Sequence, residues 1–329
     1  MRHFYLVLTL GVAASAPGAG QSGLTPFVGR WDLTVTAPDD TYPSWMEVTD
    51  DQGRPVVRVQ LRTGNVQPAI DAKLDGSRLV VTISRSEAGA EGIWDLAVAG
   101  GKLTGAQKTG DKSAKVAGVR APALKREPPK AWTASTPLFN GKDLTGWEPI
   151  SNTPSSRQIP GSRWVVKNGE LTNEGKGANL RTTKTFDDFK LHVEFNIPEG
   201  ENSGVYLRGR YEVQVANAGG GGRRSAPPPV KMGGYRNPAG GLGSIYGFLL
   251  FPLKDPKPPG EWQTYDITLI GRYVTIALNG STGIENQEIQ GITGGALDSD
   301  EGAPGPIYFQ GDHHGGIRYR NITIAVPKR

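Results

Sequence analysis

Residues 261–280 read EWQTYDITLIGRYVTIALNG, and two alternating runs sit inside them. Tyr265, Ile267 and Leu269 alternate with Thr264, Asp266 and Thr268, and Val274, Ile276 and Leu278 repeat the rhythm after Gly271. A period of two sends the apolar set to one face of a strand and the polar set to the other. The same signature recurs at 163–173, 189–197, 203–209, 211–216, 243–251, 306–312 and 317–326. Nine or more strands at this spacing, with no convincing amphipathic helix, predict a β-sandwich over 137–329. Its last strand is expected to lie against its start.

Working upstream, residues 24–119 carry a second set of short alternating runs broken by Asp-Gly and Gly-Gly turns, predicting a smaller antiparallel β domain. GRWD at 29–32 and GIWD at 92–95 each open a strand, so Trp31 and Trp94 are expected to point inward and plug a small barrel or sandwich. The G-x-W opening is loosely similar to that of calycin-type barrels, and no ligand follows from it. Residues 120–136, with Pro122, Pro128 and Pro129, read as a linker. The chain is therefore expected to be all-β, and its 46 Gly and 25 Pro suit many short strands joined by turns.

The net charge of +5 comes from scattered residues, without the basic, aromatic-interleaved stripe that nucleic-acid binding needs, so nucleic acid is set aside as a partner. Cysteine is absent, which excludes disulfides, thiol nucleophiles and thiolate metal sites. Any metal would need oxygen and nitrogen ligands, favouring a hard, calcium-like cation; no cofactor is firmly implied. Residues 1–20 have the short basic start and apolar core of a signal peptide, with cleavage expected between Ala16 and Gln21. The expected location is periplasmic or secreted. No other segment is apolar and long enough to span a bilayer.

The chemistry-bearing candidates are few. QGDHHGGIRYRN at 310–321 sets Asp312, His313 and His314 on a glycine-hinged bend in a chain of 4 histidines, either as a solvated turn or as a place where a proton moves. Paired acid–base chemistry needs two carboxyl groups flanking the reacting bond, yet Glu194 in HVEF and Glu212 in YEVQ each stand alone. On an extended strand Glu212 and Gln214 share one face, opposite Val213 and Val215, and should look onto an accessible concavity. Arg208 lies between two strands. His192 reads as structural, and Trp147, Trp164 and Trp262 read as core. Asp298, Asp300 and Glu301 form a solvated acidic loop, a calcium-like site being the alternative. The long segment 217–243 reads as a loop over one face.

LFNGKDLTGW (138–147), NSGVYLRGRYEVQV (202–215), GEWQTYDITLIG (260–271) and QGDHHGGIRYRNI (310–322) occur in that order. Together they resemble the 3-keto-disaccharide hydrolase family over 137–329. The resemblance implies a concanavalin-like jelly roll and exported bacterial proteins acting on glycosides oxidised at carbon 3. The family stretch has a single His after Asp, so whether His313 or His314 takes that position stays open.

A ketone at carbon 3 acidifies the hydrogen on carbon 2 and leaves the glycosidic oxygen beta to the carbonyl. A base near neutral pKa can then drive elimination, and water adds back to give net hydrolysis. In these terms His313 or His314 is the base and Asp312 orients the imidazole or holds a metal. Arg208 stabilises the enolate, and Glu212 protonates the leaving oxygen or ligates a cation. Gln214, Tyr246, Gln310 and Glu194 are read as substrate contacts. Two other readings remain at this stage: a non-catalytic lectin-like module and a conventional endoglycosidase.

Overall fold

In a computed structural model, residues 23–84, 91–151, 161–216, 241–252, 256–311 and 313–328 are described. The expected leader, residues 217–240 of the long loop, and Asp312 lie outside the described residues. No helix occurs among the described residues, and none is long and apolar enough to cross a membrane.

Nine strands come first: β1 (Gly29–Ala37), β2 (Asp40–Asp51), β3 (Arg54–Gln60), β4 (Gln67–Pro68), β5 (Asp71–Asp75), β6 (Arg78–Ser84), β7 (Glu91–Ala99), β8 (Lys102–Thr109) and β9 (Lys112–Arg120). They form one antiparallel sheet in the order β4-β3-β2-β1-β9-β8-β7-β6-β5. Its two ends are stitched together, because Ala69 N donates to Val57 O of β3 and Ile70 N donates to Thr82 O of β6. The sheet thus curls around its apolar face, which holds Trp31, Leu33, Met46, Val59, Trp94 and Leu96. Both tryptophans of the GRWD and GIWD openings are fully buried there, and Trp31 Nε1 donates to Phe27 O at 2.8 Å.

The remaining strands build a sandwich: β10 (Thr136–Pro137), β11 (Trp147–Ile150), β12 (Trp164–Lys167), β13 (Glu170–Asn173), β14 (Asn179–Thr182), β15 (Phe189–Asn196), β16 (Asn202–Leu207), β17 (Tyr211–Ala216), β18 (Trp262–Ile270), β19 (Tyr273–Leu278), β20 (Ser281–Glu288), β21 (Tyr308–Phe309) and β22 (Arg318–Ala325). The large sheet runs β12-β13-β22-β15-β18-β19-β20, with β10 also on β22, and the small sheet runs β11-β14-β21-β16-β17. This is the all-β, concanavalin-like jelly-roll sandwich. The first and last strands of the unit do pair, through Thr136 with Ile324 and Pro137 with Thr323. Inward residues of both sheets meet in one core, where Phe309 stacks on Tyr319 at 4.1 Å and Trp147 stacks on Phe309 at 5.1 Å.

Three local readings need correction. The run 243–251 is no regular strand: Gly243 and Gly247 take φ of +79° and +77°, so the chain curls and makes only isolated bridges at Ile245. Trp262 is not core; it lies half-exposed between the guanidinium groups of Arg318 and Arg320, at 5.3 and 3.8 Å. The stretch 163–173 is a hairpin rather than one strand, because Asn168 and Gly169 both adopt positive φ in its middle.

The curled sheet is firmly seated on the sandwich. Trp45 and Val66 belong to the sandwich's core rather than their own, and Trp45 meets Phe248 edge-on at 5.5 Å. Arg30 pairs with Glu288 at 2.7 Å, and Arg58 Nη2 donates to Gln290 Oε1 at 2.6 Å. The proline-rich segment is pinned as well: Arg272 N donates to Leu124 O at 3.0 Å, and Arg126 Nη1 bonds Asp187 and Asp188.

Candidate functional site

β16 and β17 form a tight hairpin whose turn is Arg208-Gly209-Arg210, the first two with φ of +51° and +69°. Its register sets Tyr206 opposite Glu212 and Gly204 opposite Gln214. Val205, Leu207, Val213 and Val215 face the core, so the polar set occupies the sheet's other face, as the period-two reading requires. Across the next strands Tyr206 pairs with Tyr308, and Tyr308 with Arg181. One row on this outer face is therefore Arg181, Tyr308, Tyr206, Glu212.

The face is not an open concavity. Glu212 and Gln214 are only 3% and 2% exposed, and all six residues of β17 are buried. Segment 294–295 covers part of it, with Tyr308 Oη donating to Gly295 O at 2.6 Å. The Tyr206 hydroxyl lies 2.9 Å from Glu212 Oε2 and 2.7 Å from Gly294 O. Burial, and then the charge of Glu212, push the Tyr206 phenol well above its ordinary pKa. Gly204 provides clearance: a Cβ there would sit 2.4 Å from Glu212 Oε1.

His313 enters from the loop after β21. Its Nε2 lies 3.2 Å from Asn202 Nδ2, and it is half-buried. Asn202 and Gly204 share a face two residues apart, about 7 Å along the strand, so the partner of the imidazole and the residue against which the Glu212 carboxyl packs lie on the same face. His314 points elsewhere: its side chain is 89% exposed and its Nδ1 is 3.8 Å from Glu201 Oε1. Buried Glu201 accepts from the backbone N–H groups of Asn202 (2.9 Å) and His314 (3.3 Å), tying the start of β16 to the histidine loop.

The other sequence candidates divide clearly. Tyr246 joins the cluster, its N–H donating to Glu212 O at 3.0 Å; burial, then the Glu212 charge, push its phenol up to about 12. Gln310 joins it too: its N–H donates to Gly204 O at 3.0 Å, and its Oε1 is buried without a partner. Asn202 Oδ1 is a second buried acceptor without a partner. Gln214 is beside Glu212, but its Oε1 accepts from Val215 N at 3.1 Å.

Glu194 is not brought to the site. It sits on the large sheet, bonded to Arg320 (2.7 Å) and Asn321 (2.6 Å); against the opposing effect of burial, these bonds hold its carboxyl below the usual range. Arg208 is not there either. The left-handed turn diverts its wholly buried side chain to Asp187 (3.1 Å), Gly271 O (2.8 Å) and the Tyr211 hydroxyl (3.2 Å). His192 is structural, at 2.7 Å from Asp266.

Arg208 belongs to a separate buried charge cluster. Glu301, fully buried rather than solvated, accepts from Tyr211 Oη at 2.9 Å and Arg272 Nη1 at 2.8 Å. Asp32 of β1 faces it from the curled sheet. Burial, then the Glu301 charge, push the Asp32 carboxyl up to about 9, so it stays protonated and bonds Glu301. Asp298 is taken by Arg210 at 2.7 Å. Among the described residues no three His, Asp or Glu side chains are grouped to hold a metal ion. The motif LFNGKDLTGW is likewise structural: Asn140 Oδ1 accepts from Lys142 N and Asp143 N, and Asp143 Oδ1 accepts from Thr145 N.

Residues 134–325 match the family model of the 3-keto-alpha-glucoside-1,2-lyase-like domain, more than half of the chain. The chain belongs to that family. It is similar to a 3-keto-disaccharide hydrolase of Bacteroides thetaiotaomicron, with 24% identity over 148 residues, 38% of this chain and 49% of that protein. The chain thus spans about half the length of this curated relative. Two solved structures from Parabacteroides distasonis, provisionally described as glycosyl hydrolases, are also similar. One is 28% identical over 61% of this chain and 93% of its own, with a TM-score of 0.45. The other is 21% identical over 59% and 94%, with a TM-score of 0.43.

Proposed function

We propose that this chain is an exported enzyme that cleaves the glycosidic bond of 3-keto-glycosides by removing the proton on carbon 2. The observation that carries the reading is the pairing of His313, steadied by Asn202, with Glu212 on one face of a sandwich of this family. His313 takes the carbon-2 proton, and an enolate forms toward the carbon-3 oxygen. The electrons then expel the carbon-1 oxygen, which takes a proton from Glu212. Water returns a hydroxyl to carbon 1 and a proton to carbon 2, giving net hydrolysis.

Burial and its place on the face of Asn202 and Gly204 support Glu212 as the acid: its Oε2 accepts from the Tyr206 hydroxyl at 2.9 Å, and its Oε1 lies against Gly204. The partnerless oxygen of Gln310 suits a sugar hydroxyl, which is a donor. His313 acts as base through Nδ1 when its Nε2–H is donated to the amide oxygen of Asn202, the amide orientation we assign; with Arg208 turned away, the Asn202 NH2 is then the donor for the enolate oxygen.

The test is to incubate purified protein with a 3-keto-disaccharide and with its unoxidised parent. Cleavage of the keto sugar alone, with deuterium entering carbon 2 in deuterated water, is expected. Equal cleavage of the parent refutes keto activation; sugar binding without cleavage of either refutes catalysis. Cell fractionation should find the protein outside the cytoplasm.

A further inference from the structure

A cavity of about 320 Å³ lies where the curled sheet meets the outer face of the small sheet. Thr41, Tyr42 and Pro43 of β2 line one side, and Ile150, Ser151 and Arg181 line the other. The volume is at the lower end of small-molecule sites, room for one pyranose ring rather than a long glycan. Its lining suits a sugar: apolar surface from Tyr42, Pro43 and Ile150, with hydroxyls from Thr41 and Ser151 and the Arg181 guanidinium.

The cavity and the site above lie on one row of the small sheet. Ile150 pairs with Asn179, and Asn179 Oδ1 accepts from Gly311 N at 2.8 Å, next to Gln310. Two strand spacings, about 10 Å, therefore separate Ile150 from Gln310, which is about the span of two linked pyranose rings, and Asn202 lies one strand further on.

The wall supplied by the curled sheet is rigid. Trp45 anchors β2 in the sandwich core, and Gly295 N donates to Arg62 O at 2.9 Å. Gly294 closes so tightly on Gly64 that a Cβ would meet its carbonyl oxygen at 2.4 Å. Tyr42 is held at its hydroxyl, which donates to Gln107 Oε1 at 3.0 Å, and by the Arg62 guanidinium 5.2 Å from its ring centre. Arg62 is itself paired with Asp40. A site wall fixed before substrate arrives lowers the entropic cost of binding.

We propose that the curled sheet completes the substrate site: this cavity receives the sugar on the leaving side of the scissile bond. Thr41, Tyr42 and Arg181 then select a sugar leaving group over a small alcohol. The proposal rests on the functional reading above, and the test separates the two. Thr41 is exposed, so Thr41→Trp can fill the cavity without entering a core. Its kcat/KM is measured on a 3-keto-disaccharide and on methyl 3-keto-glucoside, with Arg181→Gln as a second variant and a melting curve for each. The ratio of kcat/KM for disaccharide over methyl glycoside should fall about 10-fold or more, mainly through KM. If native protein cleaves both substrates and the ratio stays put in both variants, the subsite is wrong and the chemistry stands. Should native protein cleave neither, both fall together.

Discussion

Replacing Asp32 with asparagine should flatten a pH dependence of stability that the native chain carries. Asp32 is 4% exposed and faces Glu301, Asp300 and Arg272, and its carboxyl is pushed up from an ordinary 3.8 to about 9. Because the folded value lies above the unfolded one, the folded chain holds a proton that the unfolded chain releases. The stabilising contribution is complete below about pH 4 and is lost as pH rises toward 9. Between those limits one bound proton is worth up to ~1.4 kcal/mol per pH unit. Taking part of that limit as a working slope, about 1 kcal/mol per unit, gives ~3 kcal/mol between pH 5 and 8. Asparagine keeps the shape and an N–H donor for Glu301 but has no proton to lose. Thermal melts of both proteins at pH 5, 6, 7 and 8 read the difference directly. For a chain of this size ~1 kcal/mol is about 2 °C in Tm, so Asp32→Asn should gain about 6 °C on the native protein across the series. Other titrating groups are common to both chains and cancel. Parallel curves from pH 5 to 8 would refute the reasoning, because no proton would then be held between the two sheets.

Further outcomes follow from the same geometry. His313→Ala should lower kcat on a 3-keto-disaccharide by about 10²–10⁴-fold, and His314→Ala should stay near native; the reverse order would assign the base to the exposed ring. In Gly204→Ala the new methyl would lie 2.4 Å from Glu212 Oε1, displacing that carboxyl. The expected cost is about 100-fold in kcat with little change in Tm, checked by steady-state rates beside a melt. Arg208→Met should cost about 3 kcal/mol in urea unfolding, because Asp187, Gly271 O and Tyr211 lose a buried donor. Its kcat, measured well below the melt, should be native-like; a large loss of rate in a stable variant would return Arg208 to the chemistry.

Much of the strand inventory was legible because burial on one face imposes a period of two, as in 189–197 and 261–280. The missed strands show the limit. β20, STGIENQE, is an edge strand with a single fully buried residue, Ile284, so no alternation marks it. β11 and β14 are four residues each, too short for a period to register. Asn202 and Tyr206 were within reach: reading Arg208-Gly209-Arg210 as a three-residue turn would have set both on the face of Glu212 and Gln214.

Sequence by itself determined the all-β class, the inward tryptophans, the family motifs and the loop that carries the histidines, since these depend on local pattern. Only the tertiary structure decided which faces meet. A period of two says that Glu194 and Glu212 are each on a polar face, but not that the faces belong to different sheets. It cannot foresee that a left-handed turn sends Arg208 inward. Nor can it show that Trp45, Val66 and Asp32, from the first sheet, find their partners in the second unit. Those outcomes arise from packing two separately patterned units against each other, where apolar area and buried charge must be satisfied across a contact that no local sequence window contains.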